Sequence, residues 1–220
     1  MIKALMLVLD PAASWDNIVL KKRGWLTILV TYLLPLWLIA AVAEFYGLVH
    51  WGKPRGFVSE LKTLPNSEAL IFEIIQLILL TVLVFVGANL IKSLGQTFHG
   101  RNTFNQTFTV VAYGLGPVFT LHIFDAFSGA AGWIYWATWG AGILLTFAIL
   151  YLGIPKVMLP DPPHAFGLYM TSCVFLLMVS GLIRFLTFQF LQGKFGKMNS
   201  LIENIVARVP VLQSFNLHHF

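Results

Sequence analysis

Residues Gly100–Asp125 read GRNTFNQTFTVVAYGLGPVFTLHIFD. A short polar stretch with Gly100 and Arg101 runs into Phe104, Phe108 and Tyr113, and an apolar segment of membrane length follows. Gly114-Leu115-Gly116-Pro117 interrupts that segment. Proline removes one helical hydrogen bond, so the chain should kink there. His122 and Asp125 close the stretch, three residues apart and therefore on one helix face. It reads as one membrane span, kinked near its middle and polar near its far end.

Composition extends this reading to the whole chain. Of its 220 residues, 58% are hydrophobic and 10% charged, and mean hydropathy is +0.80. Soluble domains carry about 25% charged residues, so most of this surface must face lipid, which points to an all-α integral membrane protein. The net charge of +5 is no nucleic-acid signal. The basic residues stand in short tracts beside apolar segments, where they set topology and meet lipid headgroups. Cys173 is the one cysteine and lies in an apolar run. It excludes an intrachain disulfide and a cysteine-based metal site, and reads as a buried, inert thiol. Met1–Leu9 is apolar, but Asp10-Pro11 cuts it short, so no cleaved signal is expected.

Five segments reach the roughly 20 residues a span needs: Thr27–Val49, Ala69–Ile91, Thr107–Phe127, Trp133–Ile154 and Phe166–Leu191. Pro35 should kink the first as Pro117 kinks the third. The short link Ser128–Gly132 makes spans three and four an antiparallel hairpin. Trp133 and Trp136 fit an interfacial aromatic belt, whereas the deeper Trp139 reads as core. Asp161-Pro162-Pro163 is a stiff link that sets the angle between spans four and five.

The organisation expected is an N-terminal segment (1–26), a five-span domain (27–191) and a tail (192–220). Asp10 can cap a helix that begins with Pro11. Trp15, Ile18 and Val19 then form one face, followed by Lys21, Lys22 and Arg23. This pattern fits a helix lying in the headgroup region; the alternative is a lead-in helix packed on the first span. The tail is amphipathic, with Leu201, Ile202, Ile205, Val206 and Val209 on one face. The dense basic cluster before span one puts the N-terminus in the cytoplasm, with Lys92, Arg101 and Lys156 on that side. Lys53, Arg55, Lys62, Lys194, Lys197 and Arg208 fall on the other.

Ionisable groups within spans are costly, so each is a candidate functional residue. Under alternating topology Glu44, Glu73, His122, Asp125 and Arg184 all lie towards the outer side. In one reading Arg184 pairs with one or more of Glu44, Glu73 and Asp125 and locks the bundle, with His122 as a neutral hydrogen-bond partner. In the other the cluster binds a cation or passes a proton. Buried polar groups need partners whatever the function, which favours the first. Gln76 and Asn89 in span two read as interhelical hydrogen-bonders, worth about 1 kcal/mol or less. Ser180-Gly181 reads as a small-residue packing site. The histidines are scattered, with no metal-ligand spacing, and no catalytic set or nucleotide-binding loop occurs, so no enzyme activity, metal or cofactor is expected.

Gly100, Phe104, Gln106, Val111-Ala112-Tyr113 and Pro117, with Pro11, Trp15 and Ile18 before a basic cluster and a proline-bearing first span, resemble the YIP family of Ypt/Rab-GTPase-interacting-protein-like membrane domains. The resemblance covers nearly all of residues 10–191 and is nearest to bacterial-type members. It implies a five-span, non-enzymatic protein of membrane organisation, trafficking or partner scaffolding, in a bacterial inner membrane. Its partners would be membrane lipids and a protein, either another chain or a second copy of this one. The alternative is a small transporter or ion- or proton-conducting protein that uses the intramembrane cluster.

Overall fold

Asp10 and Pro11 start a helix as expected: the Asp10 carboxylate accepts the Ala13 amide at 3.1 Å and Pro11 occupies the first turn. The computed structural model describes residues 2–52, 63–98, 102–129 and 131–192. Gly100, Arg101, Lys53, Arg55, Lys62 and the tail from 193 onward, with its amphipathic face, lie outside the described residues. The chain begins with α1 (Ile2–Leu9) and α2 (Pro11–Lys21). Five helical stretches long and apolar enough to cross a membrane follow: Trp25–His50, Asn66–Thr97, Phe104–Phe127, Gly132–Met158 and Pro162–Leu191. These are spans one to five, and each contains its expected segment. No strand occurs among the described residues.

Both prolines break their helices, in different ways. Ahead of Pro35 the chain takes a π-helical turn over Leu29–Leu33, in which the Leu34 amide reaches back to the Leu29 carbonyl. The wider turn makes room for a ring that would clash in a regular α-helix. In span three the α-helix Phe104–Gly114 stops, restarts as Gly116–Leu121 and tightens to a 3-10 turn over His122–Phe127. That broken backbone is largely covered, with Phe124 and Phe127 exposed. In its most apolar window span three is 72% buried, against 28–50% for the other four. Close approaches allow this: a side chain at Gly114 would strike Leu150 at 2.5 Å, and one at Gly142 would meet the Val118 backbone at 2.7 Å. Glycines at such contacts let helices approach closely in lipid.

The N-terminal helices are docked on the bundle. Trp15 is 0% exposed, and its indole N–H donates to the Ile149 carbonyl of span four at 3.0 Å. Gly153 leaves the space: a Cβ there would sit 2.3 Å from the indole. Lys156 of span four bonds Asp16 at 2.6 Å and the Ala12 carbonyl at 2.8 Å. The tryptophan thus anchors α2 to span four, where sequence placed it either in the headgroups or on span one. Val19, on the expected apolar face, is exposed, as are Leu20 (79%) and Leu9. Gly153→Leu should release α2 without unfolding the spans, and Trp15→Ala should do the same. Limited proteolysis in detergent would show new cleavage before span one, and an unchanged digestion pattern would count against the docking.

Elsewhere Trp133 and Trp136 are exposed, and Trp139 packs 3.3 Å from the position a Gly181 side chain would take. Cys173 is buried. Asn89 departs from expectation: its amide donates to the Phe85 carbonyl one turn back at 2.9 Å. It caps its own helix wall instead of bridging to another span.

Candidate functional site

At the end of the bundle away from α2, all five spans contribute to one buried polar cluster. Span one supplies Glu44, span two Glu73 and Gln76, the 3-10 turn of span three His122 and Asp125, span four Tyr135 and Thr138, and span five Arg184 and Thr187. The 3-10 turn has a geometric consequence. Residues three apart eclipse in it, so His122 stands directly over Asp125.

His122 bridges two carboxylates. Its Nδ1 is 2.6 Å from Asp125 Oδ2 and its Nε2 is 3.0 Å from Glu44 Oε2. The Gln76 amide donates to Glu44 Oε2 and lies 2.5 Å from His122 Nε2. Arg184 grips Asp125 through two nitrogens, Nη1 to Oδ2 at 2.5 Å and Nη2 to Oδ1 at 2.9 Å. Such a forked pair is stronger and more directional than a single charged bond. Nη2 also donates to the Tyr135 carbonyl, and the guanidinium carbon lies 3.4 Å from the centre of the Tyr135 ring, a cation–π contact in a dry site. Thr138 donates to Asp125 Oδ1 at 2.7 Å, and the Tyr135 hydroxyl shares a 2.7 Å bond with Thr187.

The five residues singled out by sequence are thus not equivalent. Glu44, His122, Asp125 and Arg184 meet in one network. Glu73 is buried beside it, close enough to interact electrostatically with Glu44, His122 and Asp125, yet neither carboxyl oxygen has a hydrogen-bond partner among the described residues. Three carboxyls therefore stand against one guanidinium and one imidazole. Gln76 proves interhelical, at the centre of the cluster. Tyr135, Thr138 and Thr187 were not foreseen. Tyr135 sits among belt tryptophans, and only the rotation of span four about its own axis turns it inward.

Chemically the cluster offers a shared proton network and a set of ligand atoms. Oxygens and nitrogens of Glu44, His122 and Asp125 lie within 4.8 Å of one another. A metal ion held there would have to compete with Arg184 for Asp125 and with Gln76 for Glu44. The adjoining cavity, lined partly by Gln76, His122, Thr138 and Arg184, is about 40 Å³. That is room for a few waters, against roughly 300–1,000 Å³ for small-molecule sites.

The described family-pattern residues lie away from this cluster, Pro11 and Trp15 in α2 and Phe104, Gln106, Tyr113 and Pro117 along the other part of span three. Phe104 packs with Trp25, Phe85 and Phe108 at ring separations of 5.7–6.3 Å. Tyr113 lies 4.5 Å from Tyr32 and 6.3 Å from Trp15, ring to ring. Gln106 has a local reason: Thr103 and Gln106 form a reciprocal capping box at the start of span three. Thr103-x-x-Gln106 is the sequence signal for it. Pro11 opens α2 and Pro117 opens the second half of span three.

Five helices among the described residues that are long and apolar enough to cross a membrane, with a broken central helix and charges paired inside the bundle, define an integral, multi-pass α-helical membrane protein. The Yip1 domain family model matches residues 5–195. The chain belongs to that family. No curated protein and no solved structure gives a significant match.

Proposed function

We propose that this is a non-enzymatic protein of membrane organisation, trafficking or partner scaffolding, acting through lipid and protein contacts in the bilayer. The observation that carries the reading is the closure of the polar cluster: Glu44, His122, Asp125 and Arg184 pair with one another across the spans, and the cavity beside them is about 40 Å³. Intramembrane charges that satisfy each other hold helices together, whereas a substrate path needs a wetted cavity at the site. We place the protein in a bacterial inner membrane with its N-terminus in the cytoplasm. In support, the dense basic cluster Lys21, Lys22 and Arg23 stands immediately before span one, and such a cluster favours the cytoplasmic side.

One observation favours the second reading, a small transporter or an ion- or proton-conducting protein. The buried acids outnumber the basic groups, and Glu73 has no hydrogen-bond partner among the described residues. Crosslinking in native membranes followed by pull-down should capture a reproducible protein partner or a second copy, and proteoliposomes should show no proton or cation flux above empty vesicles. Flux that disappears in Asp125→Asn would establish the second reading and sink the first.

A further inference from the structure

A cavity of about 560 Å³ opens at the opposite end, between α1, α2 and the start of span three. Its rim carries Lys21, Lys22 and Arg23. On a continuous helix three successive side chains would point about 100° apart. Here Lys22 takes the left-handed conformation (φ 38°, ψ 47°), ends α2 and allows all three cations to line one space. Asn105 ties the turn down by donating to the Arg23 carbonyl at 3.0 Å. The Arg23 guanidinium lies beside the Tyr113 hydroxyl.

The floor is polar and the walls are not. Asn105, Gln106, Thr109 and Tyr113 supply amides and hydroxyls, and the Asn105 side-chain oxygen has no hydrogen-bond partner among the described residues. Met6, Ile18, Val19, Ile28 and Val157 supply an apolar side. No carboxylate is among the described lining residues, and Asp16 of α2 is held by Lys156. The position matches a headgroup layer. Thr103 caps the start of a span here, and the neighbouring Leu9, Leu20 and Leu26 present exposed apolar side chains.

We propose that this cavity binds an anionic phospholipid, with its phosphate against Lys21, Lys22 and Arg23 and the upper part of an acyl chain along Met6, Ile18 and Val157. A free phosphate would use the cations but leave the apolar walls and most of the volume empty. A neutral lipid would leave three cations uncompensated. The proposal deepens the reading of a protein that works through lipid and protein contacts, and rests on it.

The test uses the full chain in neutral detergent and native mass spectrometry, with phosphatidylglycerol and phosphatidylcholine of identical acyl chains and with glycerol 3-phosphate as soluble competitor. Phosphatidylglycerol should be retained at least about tenfold better than phosphatidylcholine, because three basic side chains line the site and each adds to the attraction for an anionic lipid. The Lys21→Gln, Lys22→Gln, Arg23→Gln triple variant should lose that preference. Lys92→Gln, outside the lining, should keep it. Ser14→Trp, which fills the cavity and leaves the charges in place, should lower retention as well. Equal retention of the two lipids, a preference that survives in the triple variant, unchanged retention in Ser14→Trp, or displacement of the lipid by glycerol 3-phosphate would each overturn the proposal. Such a failure leaves a crosslinked protein partner untouched, whereas flux in proteoliposomes would sink the functional reading whatever lipid is retained.

Discussion

Arg184→Ala is expected to lower the unfolding free energy by about 3 kcal/mol or more, the usual cost of removing one member of a buried ion pair. For a chain of this size that corresponds to a loss of about 6–12 °C in melting temperature. Arg184 has the widest set of contacts in the cluster: both oxygens of Asp125, the Tyr135 carbonyl, the Tyr135 ring and Thr138. Without it three buried carboxyls face His122 alone. Asp125→Asn should cost less, because Arg184 keeps the Tyr135 carbonyl and ring. Replacing both Asp125 and Arg184 with leucine should recover much of the loss, since neither member of the forked pair is then left buried without the other. The neutral Tyr135–Thr187 bond, about 1 kcal/mol or less in a membrane, ranks below either charged contact. Cys173, buried and the sole cysteine, provides the readout: a thiol-reactive dye added during heating labels it only once the bundle opens. If Arg184→Ala melts with the wild type, or if the double variant is as unstable as the sum of the single ones, the lock is wrong.

The spans and the neighbourhood of the cluster were legible for the same reason. Span length and hydropathy are properties of the chain taken one residue at a time, and alternation then puts Glu44, Glu73, His122, Asp125 and Arg184 at a common depth. Rotation about each helix axis is not such a property. It decides that Gln76 reaches Glu44 and His122 while Glu73, one turn away, finds no hydrogen-bond partner among the described residues. It also turns Tyr135 inward between Trp133 and Trp136. Trp15 shows the limit from another side. Tryptophan beside a basic cluster suits a headgroup anchor, and only the gap left by Gly153, more than 130 residues later in the chain, makes it a buried one. The capping box at Thr103 and Gln106 is local and was present in the pattern of residues. The family resemblance drew attention to Gln106 without giving its physical reason.

The second large effect concerns Gly47, and it can be separated from helix propensity. Gly47→Ala adds one methyl to the helix Leu34–His50. That methyl would stand 2.1 Å from the Ala126 carbonyl oxygen and 2.5 Å from Ala126 Cα. These are backbone atoms of the 3-10 turn that carries His122 and Asp125, so no side chain can rotate out of the way. Span one must move off the turn, and Glu44, three residues before Gly47, moves with it away from His122, now 3.0 Å distant. Overpacking costs typically about 1–3 kcal/mol, and contact with backbone puts this site at the upper end. Against that, alanine gains about 1 kcal/mol over glycine inside a helix. Gly140→Ala isolates the gain, because a Cβ there meets nothing within 4 Å. Gly140→Ala should therefore be neutral or slightly stabilising, Gly47→Ala clearly destabilising, and the difference between their melting temperatures measures the clash alone. The displaced Glu44 adds a second signature. Glu44→Gln should cost less in the Gly47→Ala background than in the wild type, because the contact it removes is already stretched. Equal melting temperatures for Gly47→Ala and Gly140→Ala, or fully additive effects of Gly47→Ala and Glu44→Gln, would mean that span one does not hold the His122–Asp125 turn in place.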